Sequence, residues 1–479
     1  MKELICSAGL AVALLTAMSV PIHAETNMWG GSPSRNQVSA EKNLPTSWDT
    51  ETGANIKWQV PLGSQTYGGP LVVGNKIFVG TNNQSERNPK HKGDRGVMMA
   101  FNLSDGAFLW QIAHPKLPAG RVNDWPQQGV CSTPYVEDDR LYYISNRAEV
   151  VCLDTEGFLD GENDGPITSE TDSEKIDGDL IWKYDMIAEL DVFPHNLATS
   201  SPLGIDGLLF ALTSNGVDEG HVHIPAPFAP SFVAFDLASG ELVWDSALPG
   251  DHILHGQWAN PAYGEAGGRK QVIFPGGDGW LYSLEPKTGA LIWKFDCNPK
   301  DAVWELGGRG TRNNLVSTPV FHNGVVYIAV GQDPEHGEGD GHLWAIDASG
   351  TGDITETGAL WHFGDENYKR TVSTVSIDDG LLYAADLSGF VYCLDAKTGE
   401  HHWTHDTFAA IWGSPFVADG KVYIGDEDGD VDVLKAGKTL EVLHETNLGS
   451  AVYTTPVARD GIIYIASRNT LFAIEAAGK

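Results

Sequence analysis

The sequence predicts an all-β chain: an eight-bladed β-propeller of four-stranded antiparallel blades, closed by pairing of N-terminal and C-terminal strands. Three observations carry this. A turn of the type L-D-x-x-T-G followed by tryptophan recurs as FNLSDGAFLW (Phe101 to Trp110), FDLASGELVW (Phe235 to Trp244), LEPKTGALIW (Leu284 to Trp293) and LDAKTGEHHW (Leu394 to Trp403). A second mark, a small-residue pair followed by Pro, a short strand, a turn and another strand, recurs with its Pro position at residues 70, 134, 202, 261, 319, 375, 415 and 456. The copy that starts at Thr454 ends without its own turn and Trp, and the missing piece, SWDTETGANIKW, stands at the other end of the chain, ending at Trp58.

Each element of a copy has a local reason. The marks lie 40 to 68 residues apart, and a compact copy of about 40 residues holds four short strands, the size of one blade. Pro opens the first strand, with Val375 in its place in one copy. DG and NG pairs supply the positive φ of a hairpin, and alternating V-Y-I runs read as strands rather than helices. The turn Asp accepts hydrogen bonds from backbone N–H groups two or three residues on, and the Gly takes a conformation other residues resist. The recurring Trp (Trp58, Trp110, Trp182, Trp244, Trp293, Trp361 and Trp403) offers a large flat surface for docking the neighbouring copy. A single blade cannot bury both its faces, so neighbours stack and a ring leaves no free edge.

Composition fits this. The chain has 479 residues, 42% apolar and 20% charged, enough for a large buried core. Its net charge of −33 repels nucleic acid and anionic lipid. The start, MKELICSAGLAVALLTAMSVPIHAETN, reads as a secretory signal peptide over residues 1–24. No cysteine follows its apolar run, where a lipoprotein anchor would need one. Residues 25–479 then form a single propeller domain, with no later segment apolar enough to span a bilayer. The mature protein is expected to be soluble and exported, periplasmic or extracellular. Cys131, Cys152, Cys297 and Cys393 remain; two lie in strand-like runs, so buried free thiols are expected, with a Cys131–Cys152 bridge as the alternative.

The turn with its docking Trp, repeated around eight blades, resembles that of the PQQ-like repeat family, the quinoprotein alcohol dehydrogenase-like propellers. The resemblance covers nearly the whole mature chain. That family holds dehydrogenases dependent on pyrroloquinoline quinone (PQQ) and Ca²⁺, and also non-enzymatic members such as the scaffold lipoprotein of bacterial outer-membrane assembly. The resemblance therefore implies a fold, not an activity. The adjacent cysteine pair typical of the enzymes is absent here, and their Glu, Asn and Asp calcium set has no residue-by-residue match.

A site is expected where the repeat is interrupted. The loops before each Pro mark line one mouth of the channel, and they supply Trp125, His195, Asn196, His255, Gln257, Trp258, Arg309, Arg312, Asn313, Asn314, Lys369, Arg370 and Trp412. Four basic residues with Trp and amides suit a planar anion such as PQQ; the alternative is that the arginines pair with surrounding carboxylates. Two longer excursions carry Asp218, Glu219, His221 and His223, and Asp333, Glu335, His336, Glu338, Asp340 and His342. His221-x-His223 on a strand would put both rings on one face, so His221, His223, Asp333, Glu335 and His336 are metal candidates, with solvated loop residues as the alternative. A third insert offers Asp154, Glu156, Asp160, Asn163 and Asp164 to Ca²⁺ without EF-hand spacing. GDEDGDVD (Gly425 to Asp432) sits where a hairpin turn is expected.

Two functions follow. The first is a binding platform that takes a small anionic or carbohydrate ligand, or a protein partner, at the mouth carrying Arg309, Arg312, Trp258 and Trp412. The second is a PQQ- and Ca²⁺-dependent alcohol or sugar dehydrogenase, with Asp218 or Glu219 as base.

Overall fold

The computed structural model describes residues 27–336 and 339–478; the expected signal peptide and Glu338 lie outside them. Eight blades of four antiparallel strands make the ring, two of them extended by a short fifth strand in parallel, Val38–Ser39 and Gly352–Asp353. We number the blades I to VIII from the first mark. The innermost strands begin at Leu71, Tyr135, Leu203, Ala262, Val320, Ser376, Phe416 and Val457, each one residue after a mark. The ring closes as the sequence predicts. Ile56–Pro61 is the outermost strand of blade VIII and pairs antiparallel with Thr470–Glu475, Trp58 opposite Ala473.

The repeated tryptophan explains the repeated glycine. Gly106, Gly240, Gly289 and Gly399 have φ of 67° to 73°, and a Cβ on any of them would lie 2.6 to 2.8 Å from the indole of Trp58, Trp182, Trp244 or Trp361 in the preceding blade. Each of those indoles also donates Nε1–H to a main-chain carbonyl of the same turn: Leu103, Leu237, Pro286 and Ala396 at 2.8 to 3.3 Å. Trp110 and Trp403 do the same to Thr155 O and Gly437 O. Trp293 departs, donating instead to Gln271 Oε1 at 2.7 Å while fully buried. The outer strand of blade VII, Val442–Asn447, carries no Trp; there His444 lies edge-on to Trp48 of the N-terminal segment, ring centroids 5.8 Å apart.

That N-terminal segment runs beneath the channel. Carbonyls of Asn27, Pro33, Ser34 and Gln37 accept N–H groups of Val136, Tyr263, Phe321 and Val417, and Asn36 Oδ1 accepts that of Ile377, all at 2.8 to 2.9 Å. These are the second residues of five innermost strands, whose edges would otherwise be unpaired. Val38–Ser39 then pairs in parallel with Phe416–Ala418. Arg35 locks the segment. It is fully buried and donates to the carbonyls of Trp29, Ser201 and Pro261 at 2.7 to 2.9 Å, and burial lowers its pKa to about 9.

The four cysteines among the described residues, Cys131, Cys152, Cys297 and Cys393, are buried free thiols. Cys152 lies inside the third strand of blade II, Glu149–Asp154, whereas Cys131 lies in the loop that opens that blade, so the bridge is not formed. No helix of the described residues is long and apolar enough to cross a membrane.

Two outcomes are expected in urea unfolding. Gly399→Ala, which strains the backbone and pushes on Trp361, should cost about 2–4 kcal/mol, whereas Gly380→Ala, also at positive φ but with nothing within 4 Å of its Cβ, should cost clearly less. Arg35→Met, which keeps bulk but orphans three carbonyls, should cost roughly 2–4 kcal/mol.

A central cavity and a histidine cluster

A strand directs alternate side chains to one side, and the two residues that count back by one and by three from each mark share a side. They build two stacked rings at the mouth. The lower ring is Gly69, Thr133, Ser201, Asn260, Thr318, Thr374, Ser414 and Thr455. Hydrogen bonds link it blade to blade: the N–H of Thr133, Ser201, Thr318, Thr374 and Ser414 each donates to the side chain of the next member, and Asn260 Nδ2 donates to Thr318 Oγ1, at 2.5 to 3.0 Å. Gly69 has no side chain to offer Thr455, but its carbonyl accepts from Thr133 Oγ1 at 3.1 Å.

The upper ring is Tyr67, Cys131, Thr199, Trp258, Val316, Val372, Trp412 and Tyr453. All eight line a cavity of about 450 Å³, with Trp29 of the N-terminal segment also in its wall. Tyr67 and Tyr453 stack with centroids 4.9 Å apart, and Trp412 stands edge-on to both. These three come from blades I, VIII and VII; Trp258 comes from blade IV, four blades from VIII, and so faces them across the channel.

The basic residues expected at the mouth do not converge. Among the described residues the cavity lining contains no Lys or Arg. Arg312 grips Asp296 with two hydrogen bonds of 2.6 and 3.1 Å and the Asp278 carbonyl with a third. Lys369 pairs with Asp340 at 3.0 Å, Arg370 donates to Asp333 O, and the exposed Arg309 reaches Gly220 O. The expected convergence is corrected accordingly: each cation answers a nearby acceptor in an acidic protein. The amides divide. Asn196 lines the cavity, but Gln257 holds Asn215 O, Ser231 Oγ and Gly277 N–H, the main chain of Asn313 donates its N–H to Asn298 Oδ1 and accepts from Asn298 Nδ2, and Asn314 donates to Gly256 O. Trp258 and Trp412 are lining residues; Asp218 and Glu219 are not. The Asp218 carboxylate accepts the N–H groups of Val222 and His223, which closes a turn where a strand was expected.

Two carboxylates, Asp333 and Glu335, stand in the cavity wall, and behind them four imidazoles meet. His195 and His255 are fully buried. Ring centroids of His195, His221 and His255 lie 4.5 to 4.9 Å apart, and His336 is 4.4 Å from His255. Asp333 accepts from His255 Nδ1 at 3.0 Å and from His336 Nδ1 at 2.8 Å. His195 Nδ1 lies 2.7 Å from Val217 O; a carbonyl only accepts, so Nδ1 carries the proton and Nε2 presents a lone pair. Nε2 of His195 and Nε2 of His255 are both buried without a hydrogen-bond partner, the latter 3.4 Å from Glu335 Oε2 but not aligned with it. Burial, with His255 adding to it, lowers the pKa of His195 to about 3. Burial also opposes charge on His255, but Asp333 and Glu335 outweigh it and raise that pKa. The two carboxylates are held below their usual range, Asp333 against the effect of its burial.

The metal candidates read from the sequence divide here. His221, Asp333, Glu335 and His336 join the cluster; His223 is exposed and does not, because the 218–223 turn breaks the alternation that would have paired it with His221. His195 and His255 complete the cluster from the inter-blade loops. Asp154, Asp160 and Asp164 also come together, although Asp154 and Asp160 already accept main-chain N–H groups and Asp154 pairs with Arg140. Asp426 accepts the N–H of Asp428, Gly429 and Asp430 and closes the expected hairpin.

The comparisons with known proteins agree with this architecture. The family model described as outer membrane protein assembly factor BamB matches residues 172–333, 229–373 and 353–479, more than half of the chain. Outer membrane protein assembly factor BamB of Salmonella typhimurium is 23% identical over 485 residues, 99% of each chain. Two solved structures share the fold: a quinohemoprotein alcohol dehydrogenase of Pseudomonas putida (TM-score 0.61, 14% identity, 95% of this chain and 81% of that one) and BamB of Moraxella catarrhalis (TM-score 0.54, 15% identity, 88% and 97%). With its eight blades and docking tryptophans, the chain belongs to the PQQ-like repeat propellers, the family whose model bears the BamB description.

Proposed function

We propose that this protein is an exported binding protein whose central cavity takes a small neutral carbohydrate. The observation that carries the reading is the lining: aromatic faces of Tyr67, Tyr453 and Trp412 opposite Trp258, above a girdle of Ser, Thr and Asn side chains. A sugar ring presents polarised C–H groups to the electron-rich face of an aromatic, and its hydroxyls match side chains that both donate and accept. The volume lies within the range of small-molecule sites. The BamB relatives favour a protein partner, but an aromatic-lined cavity of about 450 Å³ favours a small ligand that fits inside.

PQQ does not suit these residues. It is a tricarboxylate, and the described lining offers two carboxylates and no cation. Loss of the family's cofactor with retention of its fold accounts for both facts, and Asp218 and Glu219 have no catalytic role in this reading.

Titration of the mature protein with neutral mono- and disaccharides, followed by tryptophan fluorescence, should give saturable quenching with at least one of them. Trp412→Ala should weaken it tenfold or more, about 1.4 kcal/mol, with the unfolding midpoint nearly unchanged. PQQ with Ca²⁺ should give none at tens of micromolar. Saturable, calcium-dependent PQQ binding would replace this reading with the dehydrogenase.

A further inference from the structure

The histidine cluster is unlike the rest of the ring. It joins the loops that open blades III and IV, through His195 and His255, to the two long excursions, through His221 and Glu335. Buried imidazole nitrogens are normally satisfied, yet Nε2 of His195 has no hydrogen-bond partner and Nε2 of His255 has only the poorly aligned Glu335 Oε2 at 3.4 Å, although neither residue is exposed to solvent. The other ring nitrogens are held by Val217 O and by Asp333. A carbonyl or carboxylate on Nδ1 is the arrangement that orients a ligating imidazole and makes it more basic.

We infer that His195, His221, His255 and Glu335 form a site for a divalent transition-metal ion, with zinc the ion best matched. One ligand atom from each lies within 4.8 Å of every other. Bonds of roughly 2.0–2.2 Å in a tetrahedron set ligand separations of about 3.3–3.6 Å, so small rotations of the side chains close the site. Three imidazoles and one carboxylate suit zinc and its neighbours; Ca²⁺ and Mg²⁺ require oxygen donors. Asp333 supports the site from outside, bonded to His255 and His336. Four protein ligands complete a tetrahedron, so the ion pins both excursions to the ring and fixes Glu335 in the cavity wall. The inference does not depend on the identity of the cavity's ligand.

The test uses the mature protein stripped of metal by chelation and titrated with ZnCl₂ in a calorimeter, and with CoCl₂ in a spectrophotometer. One Zn²⁺ per chain should bind with micromolar or tighter affinity and raise the melting temperature, where Mg²⁺ does not. Co²⁺ should give the intense visible bands of a tetrahedral site, without thiolate charge transfer. His195→Ala should abolish binding. Glu335→Gln, which alters a partly exposed side chain and leaves the core intact, should weaken it tenfold or more, and His223→Ala should leave it unchanged. Absence of saturable Zn²⁺ and Co²⁺ uptake by the unaltered protein would overturn the inference. So would uptake that both His195→Ala and Glu335→Gln leave intact.

Discussion

The ring depends on one recurring contact: the indole of an outer strand laid on a glycine of the next blade's turn, as Trp58, Trp182, Trp244 and Trp361 lie on Gly106, Gly240, Gly289 and Gly399. The contact is specific because it is doubly constrained. The glycine holds a positive φ, and the space its side chain would fill is taken by the neighbouring ring, as at Gly399 and Trp361. The indole N–H then ties the same turn through a main-chain carbonyl. Blade-to-blade geometry is thereby set at the outer rim as well as by the hydrogen-bonded girdle at the mouth, which leaves the loop residues above the girdle available for a site. This explains how the protein carries a polar, aromatic mouth without loss of architecture.

The cavity follows from strand periodicity and from a floor. Side chains one and three residues before each mark face the channel, so a repeat that keeps small polar residues at the first position and varies the second builds a hydroxyl girdle with a selective wall above it. The N-terminal segment supplies the floor. It satisfies the edges of five innermost strands and is fixed by Arg35, whose three carbonyl acceptors, Trp29, Ser201 and Pro261, belong to the segment itself and to the openings of blades III and IV. Those blades also carry His195 and His255, so floor, wall and histidine cluster are mechanically one unit.

Much of the fold was legible in the sequence because turn chemistry is local and repeats. Even the closure of blade VIII by Trp58 could be read from a piece missing at one end and present at the other. The site was legible only in part. Trp258 and Trp412 stood out as aromatics in loops, whereas Tyr67 and Tyr453 occupy the same position relative to their marks and were not singled out; aligning the copies column by column would have found them. The arginines misled because loop position does not reveal partners: Arg312 is neutralised by Asp296, the last residue of the outer strand of the preceding blade. The histidine cluster is assembled from four separate loops, so no spacing in the chain encodes it, and the His221-x-His223 pattern pointed to a pairing that the Asp218 turn prevents.

The proposed metal site lies where the repeat is broken, beside the central cavity. Crystals grown with zinc, measured on both sides of the zinc absorption edge, test this most directly. A strong anomalous peak enclosed by His195, His221, His255 and Glu335 is expected, with Glu335 still in the cavity wall. Zinc found only at surface carboxylates, with ordinary water between the imidazoles, would contradict it.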